Sequence, residues 1–131
     1  MSMIYWWKHA YENAFNLSGR ANRAELWSFH IGNLIVFAIL FAAQIMMPSI
    51  RGLLYFSPTT VFAALIIIPS FAVSTRRFHD RGHSILWNLW VFIPYIGIFF
   101  MIALWILASD RGNNKYGPEP LPMAKMTQAI Q

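Results

Sequence analysis

The sequence predicts an all-α integral membrane helical bundle, with an N-terminal interfacial helix and three apolar runs, the third kinked or re-entrant at residues 94–97. Three observations carry this reading. Hydrophobic residues make up 57% of the chain and charged residues 11%, too few charges to clothe a water-facing surface. Long apolar runs follow one another, separated by short polar stretches. Most of the arginines sit at the ends of those runs, where charge meets lipid phosphates or sets topology.

At the N-terminus, Ile4, Trp7, Tyr11, Ala14 and Phe15 recur at helical spacing, with Lys8, His9, Glu12 and Asn13 largely opposite. This predicts a helix over 4–16, either lying in the membrane interface or packed on the ends of the spans. Trp and Tyr suit that depth because each joins an apolar body to one polar group. Aromatic residues precede the first Lys and no small-residue cleavage site follows, so the segment does not read as a secretory signal.

Asn22 with Glu25 three residues on resembles a capping box, and opens a first span over 23–47, ended by Pro48. Its core of about 20 apolar residues, at 1.5 Å each, matches a hydrocarbon layer about 30 Å thick. After a connection carrying only Arg51, a second span is expected over 55–75. Pro58 is tolerated there as an early helical or a loop residue, and Pro69 should kink the helix.

A polar knot follows at residues 76–84: Arg76, Arg77, His79, Asp80, Arg81 and His83, with Gly82 arguing against a continuous helix into the next run. The third run, 85–108, is 24 residues, about 36 Å if wholly helical. Its centre, Pro94-Tyr95-Ile96-Gly97, allows a kinked single span or a re-entrant hairpin, the latter only if protein or water covers the turn. A single crossing is the commoner solution and is preferred. The tail, 111–131, is rich in proline and is expected to be extended.

Basic residues orient these spans. Lys8, Arg20 and Arg23 precede the first span, Arg51 alone lies between the spans, and Arg76, Arg77 and Arg81 follow the second. That asymmetry puts the N-terminus and the knot in the cytoplasm of a multi-pass protein. Arg111, Lys115 and Lys125 fit the rule only if the third run is a hairpin.

Gly19-Arg20 with Arg23 and Trp27, then Arg76-Arg77-Phe78-His79-Asp80 with Gly82 and Ser84, then Pro94 and Gly97, then Asn114-Lys115-Tyr116-Gly117-Pro118 with Pro120, together resemble the domain of unknown function 805. The resemblance covers nearly the whole chain. It implies a small protein of the bacterial inner (plasma) membrane of unknown activity, and supplies no catalytic residues to carry over. Phe78 stands where the family usually has Leu, and Ile85 where Gly commonly precedes an aromatic pair, so helix packing just after the knot is expected to differ from the family's.

Chemistry must therefore be read from the residues. Arg20, Arg23, Arg76 and Arg77, with His79 and Asp80, either bind an anionic lipid headgroup through paired hydrogen bonds or pair with Glu25 and Asp80 at the helix ends. His79 and His83 have metal-ligand spacing, but Gly82 weakens the helix that spacing needs, and no metal site is assigned. No nucleophile accompanies His79 and Asp80, so an enzyme is disfavoured. No cofactor is expected.

Within the first span, His30 and Asn33 share a face, and Asn88 of the third run is a candidate partner. They suggest interhelical hydrogen bonding, across a homo-oligomer in one version, or a path through an oligomeric transporter or channel subunit. The aromatic residues cluster at run ends and not among exposed cations, which excludes a nucleic-acid platform. The expected partners are membrane lipids, a second copy or another protein. The preferred reading is a non-enzymatic membrane interaction or regulatory module with an arginine-rich cytosolic face.

Overall fold

The computed structural model describes residues 3–47 and 57–120. Among them every regular element is helical: α1 (Met3–Glu12), α2 (Arg23–Met46), α3 (Pro58–Leu65), α4 (Ile67–Asp80), a 3-10 helix (Ile85–Phe92) and α5 (Ile96–Ile106). The connection containing Arg51 and the last eleven residues, with Lys125, lie outside the described part.

Helix α2 starts where its cap predicts. Asn22 Oδ1 accepts the Glu25 N–H at 2.8 Å, satisfying one of the free donors of the first turn. Its 24 residues extend about 36 Å. Only the first part is buried, at Glu25, Leu26, Ser28, Phe29, Gly32 and Asn33. Beyond that Leu34, Ile39, Ile45 and others are exposed, an apolar flank that water would not favour and lipid would.

The second crossing-length helix, Pro58–Asp80, is 23 residues and is broken once. Pro58 is the first helical residue, after Ser57, whose Oγ accepts the Thr60 N–H. The break falls at Ile66, one turn before Pro69. Proline has no N–H for the Leu65 carbonyl and its ring crowds that oxygen. The helix then continues through Arg76 and Arg77 to Asp80, so the first half of the polar knot is helical. It ends by a Schellman motif: Gly82 (φ +71°) donates to His79 O at 3.0 Å and His83 to Phe78 O at 2.9 Å.

Helix α1 lies across α2. His9 approaches Glu25, while Trp7 and Tyr11 donate to Asn33 Oδ1. Glu25 and Asn33 are about 12 Å apart along α2, whereas His9 and Trp7 are about 3 Å apart along α1, so the two axes cannot be aligned. Trp7 lies against Gly32, where a Cβ would fall 2.4 Å from Trp7 Cδ1. Ala10 is buried with Ala21, Leu26, Phe29 and Val73 in a small core beneath the knot, and Trp6 is buried on the same helix.

The third run differs most from the preferred single span. It leaves the knot at Ser84 and returns to it, since Asp110 N–H donates to Asp80 O and Ile106 O accepts from Arg23. Its legs are a 3-10 helix of eight residues and α5 of eleven, each about 16 Å long. Neither covers a layer about 30 Å thick. The bend at 94–97 is a hairpin whose turn is not covered by the rest of the described chain, since Phe92, Tyr95 and Ile96 are exposed, so the cover such a turn needs within a membrane has to come from water or another molecule. Tyr95 sits at φ +62°, and a Cβ on Gly97 would lie 1.7 Å from Trp90 O, so only glycine fits. Trp87 and Trp90 pack on Phe100 across the hairpin, with centroids 5.4 and 4.7 Å apart.

Candidate functional site

The hairpin brings three distant segments to one end of the bundle: the basic turn at 19–25, the knot, and the start of the tail. Four arginines, Arg20, Arg76, Arg77 and Arg81, and three acids, Glu25, Asp80 and Asp110, organise the junction.

Arg76 is the first staple. Its Nη2 donates to Glu25 Oε1 at 2.6 Å, and its Nη1 to Asn13 O at 2.6 Å and Asn16 O at 2.8 Å. One guanidinium thus caps the chain leaving α1 and ties it to α2 and α4. Glu25 completes half a capping box: its N–H bonds Asn22, but its carboxylate turns to Arg76 instead of back to the cap.

Arg77 points to the other side, as neighbours on a helix must. Its Nη1 donates to Asp80 Oδ2, Ala21 O and Ser109 Oγ, and its Nη2 to Leu107 O. Arg20 meets the same acid: Nε lies 2.9 Å from Asp80 Oδ1. The remaining Arg20 nitrogens donate to Asp110 O and Gly112 O at 2.6 Å and, more weakly, to Gly117 O and Asp80 O. Two guanidiniums on one carboxylate leave a positive excess, and carbonyl oxygens of the tail surround it. The side chains of Arg20, Arg77 and Asp80 are all at most 1% exposed. Burying such charges is tolerable only when nearly every donor is matched.

The tail is docked over its described length, not extended as expected. Asn114 and Gly117 exchange backbone hydrogen bonds in a tight turn, and Asn114 Nδ2 donates to His79 O at 2.9 Å. Tyr116 stacks on the His79 ring, centroids 3.9 Å apart, while His79 Nδ1 lies 3.3 Å from Gly19 O. Arg81 bonds Asp110 Oδ1 and Ala108 O, both at 2.8 Å. His83 turns elsewhere, onto Trp87 at 4.1 Å, so it does not share a ligand site with His79. Burial, then the charge of Arg81, pushes the His83 imidazole below its ordinary 6.5.

Arg23 stands apart from the other three candidate arginines. It is exposed, and its Nη1 donates to Ile106 O at 3.2 Å. Among the described residues neither Arg23 nor Arg111 is in an ion pair.

The polar residues of the spans are not brought together. His30 stacks on Trp105 of α5, centroids 4.6 Å apart. Asn33 accepts from Trp7 and Tyr11 of α1. Asn88, expected to partner them, instead donates to Thr75 Oγ1 at 2.9 Å and to Ile85 O. The register of the 3-10 helix turns it to α4, which run-length reasoning does not specify. Gln44 accepts from Thr59, an interhelical bond within one chain.

Sequence reasoning missed Ser109, Asp110, Asn114 and Tyr116 as members of the junction. Their signal was the polar block that ends the third run, whose basic residues obey the charge asymmetry only when the run is a hairpin.

The family described as protein of unknown function (DUF805) matches residues 14–118. The chain is 34% identical over 119 residues to inner membrane protein YhaH of Escherichia coli K12, covering 88% of this chain and 95% of that protein. To inner membrane protein YhaI of the same strain it is 32% identical over 117 residues, covering 89% and 96%. No solved structure matches.

Proposed function

We propose, from the premise that this chain belongs to the DUF805 family and resembles inner-membrane proteins along most of its length, that it is a non-enzymatic membrane interaction module presenting a rigid cationic face to anionic lipid headgroups. The topology in this reading is two crossings, with the N-terminal helix, the knot and the docked part of the tail in the cytoplasm. Docking of the tail on the knot supports it, because every described basic residue then lies on one side.

The observation that carries the reading is the division of the arginines. Arg20, Arg76 and Arg77 are buried on acids and carbonyls, so they build the platform and do not present it. Arg23, Arg111 and Lys115 are exposed around it. Cations held at headgroup level by a rigid base lose little freedom on meeting phosphate. The acids of the junction support the non-enzymatic part: Glu25 and Asp80 are held by guanidiniums, and His79 lies under Tyr116. The transporter reading gains no comparable support, because His30 and Asn33 are turned to different elements.

The test is lipid analysis of the purified protein against the membrane it came from. Enrichment of anionic over zwitterionic phospholipid is expected. Lipid of bulk composition removes this reading.

A further inference from the structure

Two surface cavities meet at Arg23. One, about 440 Å³, is lined by Asn22, Arg23, Ser109, Arg111, Glu119 and Pro120. The other, about 400 Å³, shares Arg23 and Ala24 with the first and continues past Trp27 and Ile106. Trp27 is one turn further along α2 on the face of Arg23, and Ile106 ends α5, so the second cavity runs from the junction toward the apolar flank of the bundle.

From this pair of cavities we infer that the cleft is a binding site for one phosphoglycerolipid, its phosphodiester between Arg23 and Arg111 and the start of an acyl chain along Trp27 and Ile106. This rests on the reading of the chain as a lipid-facing module and gives it one defined site. The donors fit a phosphodiester. The bond from Arg23 Nη1 to Ile106 O fixes that guanidinium at the mouth shared by both cavities and leaves its other nitrogens to donate. Ser109 Oγ accepts from Arg77 at 3.1 Å, which frees its own hydrogen for an anionic oxygen.

Glu119 selects among lipids. Its Oε2 accepts the Gly112 N–H at 2.8 Å, and Oε1 is left to accept from a headgroup. Two guanidiniums against one carboxylate leave one net positive charge, the complement of a lipid bearing one negative charge and hydroxyl donors. Phosphatidylglycerol has that chemistry. Phosphatidylcholine carries no net charge and has no donor for Glu119. The apolar continuation distinguishes a lipid from a free phosphodiester, which has nothing to place beside Trp27.

Native mass spectrometry of the delipidated protein in detergent, titrated with phosphatidylglycerol or phosphatidylcholine of matched chains, tests the site. One tightly held phosphatidylglycerol is expected, weakened at least about tenfold in R23Q/R111Q, which removes charge-assisted hydrogen bonds. Trp27→Ala should weaken the lipid but not glycerophosphoglycerol, the headgroup without chains. Thermal unfolding of each variant checks the fold, and R111Q alone serves if Arg23→Gln destabilises.

Preference for phosphatidylglycerol that survives in R23Q/R111Q overturns this site and leaves Lys115, of the three exposed cations, to carry the platform. Equal retention of both lipids by the parent overturns both. Glycerophosphoglycerol competing as well as the full lipid overturns the lipid assignment in favour of a soluble phosphodiester.

Discussion

Arg76 donates to Glu25 at 2.6 Å across 51 residues of sequence, with the two side chains 4% and 3% exposed. The bond joins α4, a turn before its end, to the first turn of α2, and through Asn13 and Asn16 the same guanidinium holds the exit of α1 as well. Removing one partner of a buried pair strands the other charge, which typically costs about 3–5 kcal/mol. Arg76→Leu should therefore lower the thermal unfolding midpoint in detergent far more than Arg23→Leu at the exposed neighbour. Pairing it with Glu25→Leu should recover much of the loss, since an apolar pair leaves no stranded carboxylate. A double variant no better than the single would mean that the carbonyl contacts, and not the ion pair, dominate.

Glu25 also faces His9, whose Nδ1 lies 3.4 Å from Oε1 in an off-line approach that becomes an ion pair on protonation. The nearby Glu25 carboxylate raises the imidazole above its ordinary 6.5, against burial and the charge of Arg76. A pKa raised by folding means that the contact stabilises the protonated form. Its contribution is complete below 6.5 and disappears as pH rises through the folded value above it. Protection of the α1 amides against hydrogen exchange, taken relative to the free-chain rate at each pH, should be greatest on the acid side and fall across that window, and His9→Gln should flatten that profile. An unchanged profile in the variant assigns the pH response to another group.

Contact between Trp7 and Gly32 makes a third prediction. A methyl at Gly32 would sit 2.4 Å from Trp7 Cδ1, and the indole is also bonded to Asn33. Gly32→Ala should displace α1, costing about 1–3 kcal/mol as overpacking does. Trp7→Phe in that background should restore part of it by shrinking the ring. Protease cleavage near residue 15 reports the displacement. If Gly32→Ala leaves cleavage unchanged, α1 tolerates a shift there and its anchorage lies at His9 and Ala10 instead.

How much of this was legible in the sequence varies by segment, for physical reasons. Helix α2 was readable because its cap, Asn22, and its length are local properties. That the arginines could pair with Glu25 and Asp80 was readable as charge balance, since those are the acids at helix ends, but which arginine meets which acid was not. The direction of the third run was not. Pro94 and Gly97 announce a bend, but hydropathy is blind to whether the chain beyond a bend goes on or turns back. The docking of the tail depends on guanidiniums bonding carbonyl oxygens, and every residue has a carbonyl, so nothing in the side-chain sequence marks Leu107, Asp110 or Gly112 as acceptors. The arginines themselves were visible, but which were buried and which exposed was not. That distinction narrows the candidate lipid contact from Arg20, Arg23, Arg76 and Arg77 to Arg23, and adds Arg111.

Whether the third run turns back can be decided by labelling, and the absence of native cysteine makes the experiment clean. Ser18 and Asn113 are both exposed at the junction end, while Met47 is exposed at the far end of α2, about 36 Å away along the helix. In a hairpin, Ser18→Cys and Asn113→Cys should react with an impermeant maleimide from the same face of inverted vesicles, and Met47→Cys from the other. A third crossing would instead place Asn113 with Met47. It would also break the bonds from Arg20 to Asp110 and Gly112, leaving a guanidinium that is 1% exposed with few acceptors beyond Asp80. Labelling of Asn113→Cys only from the face opposite Ser18→Cys would therefore dismantle the hairpin and the junction together, because the same contacts define both.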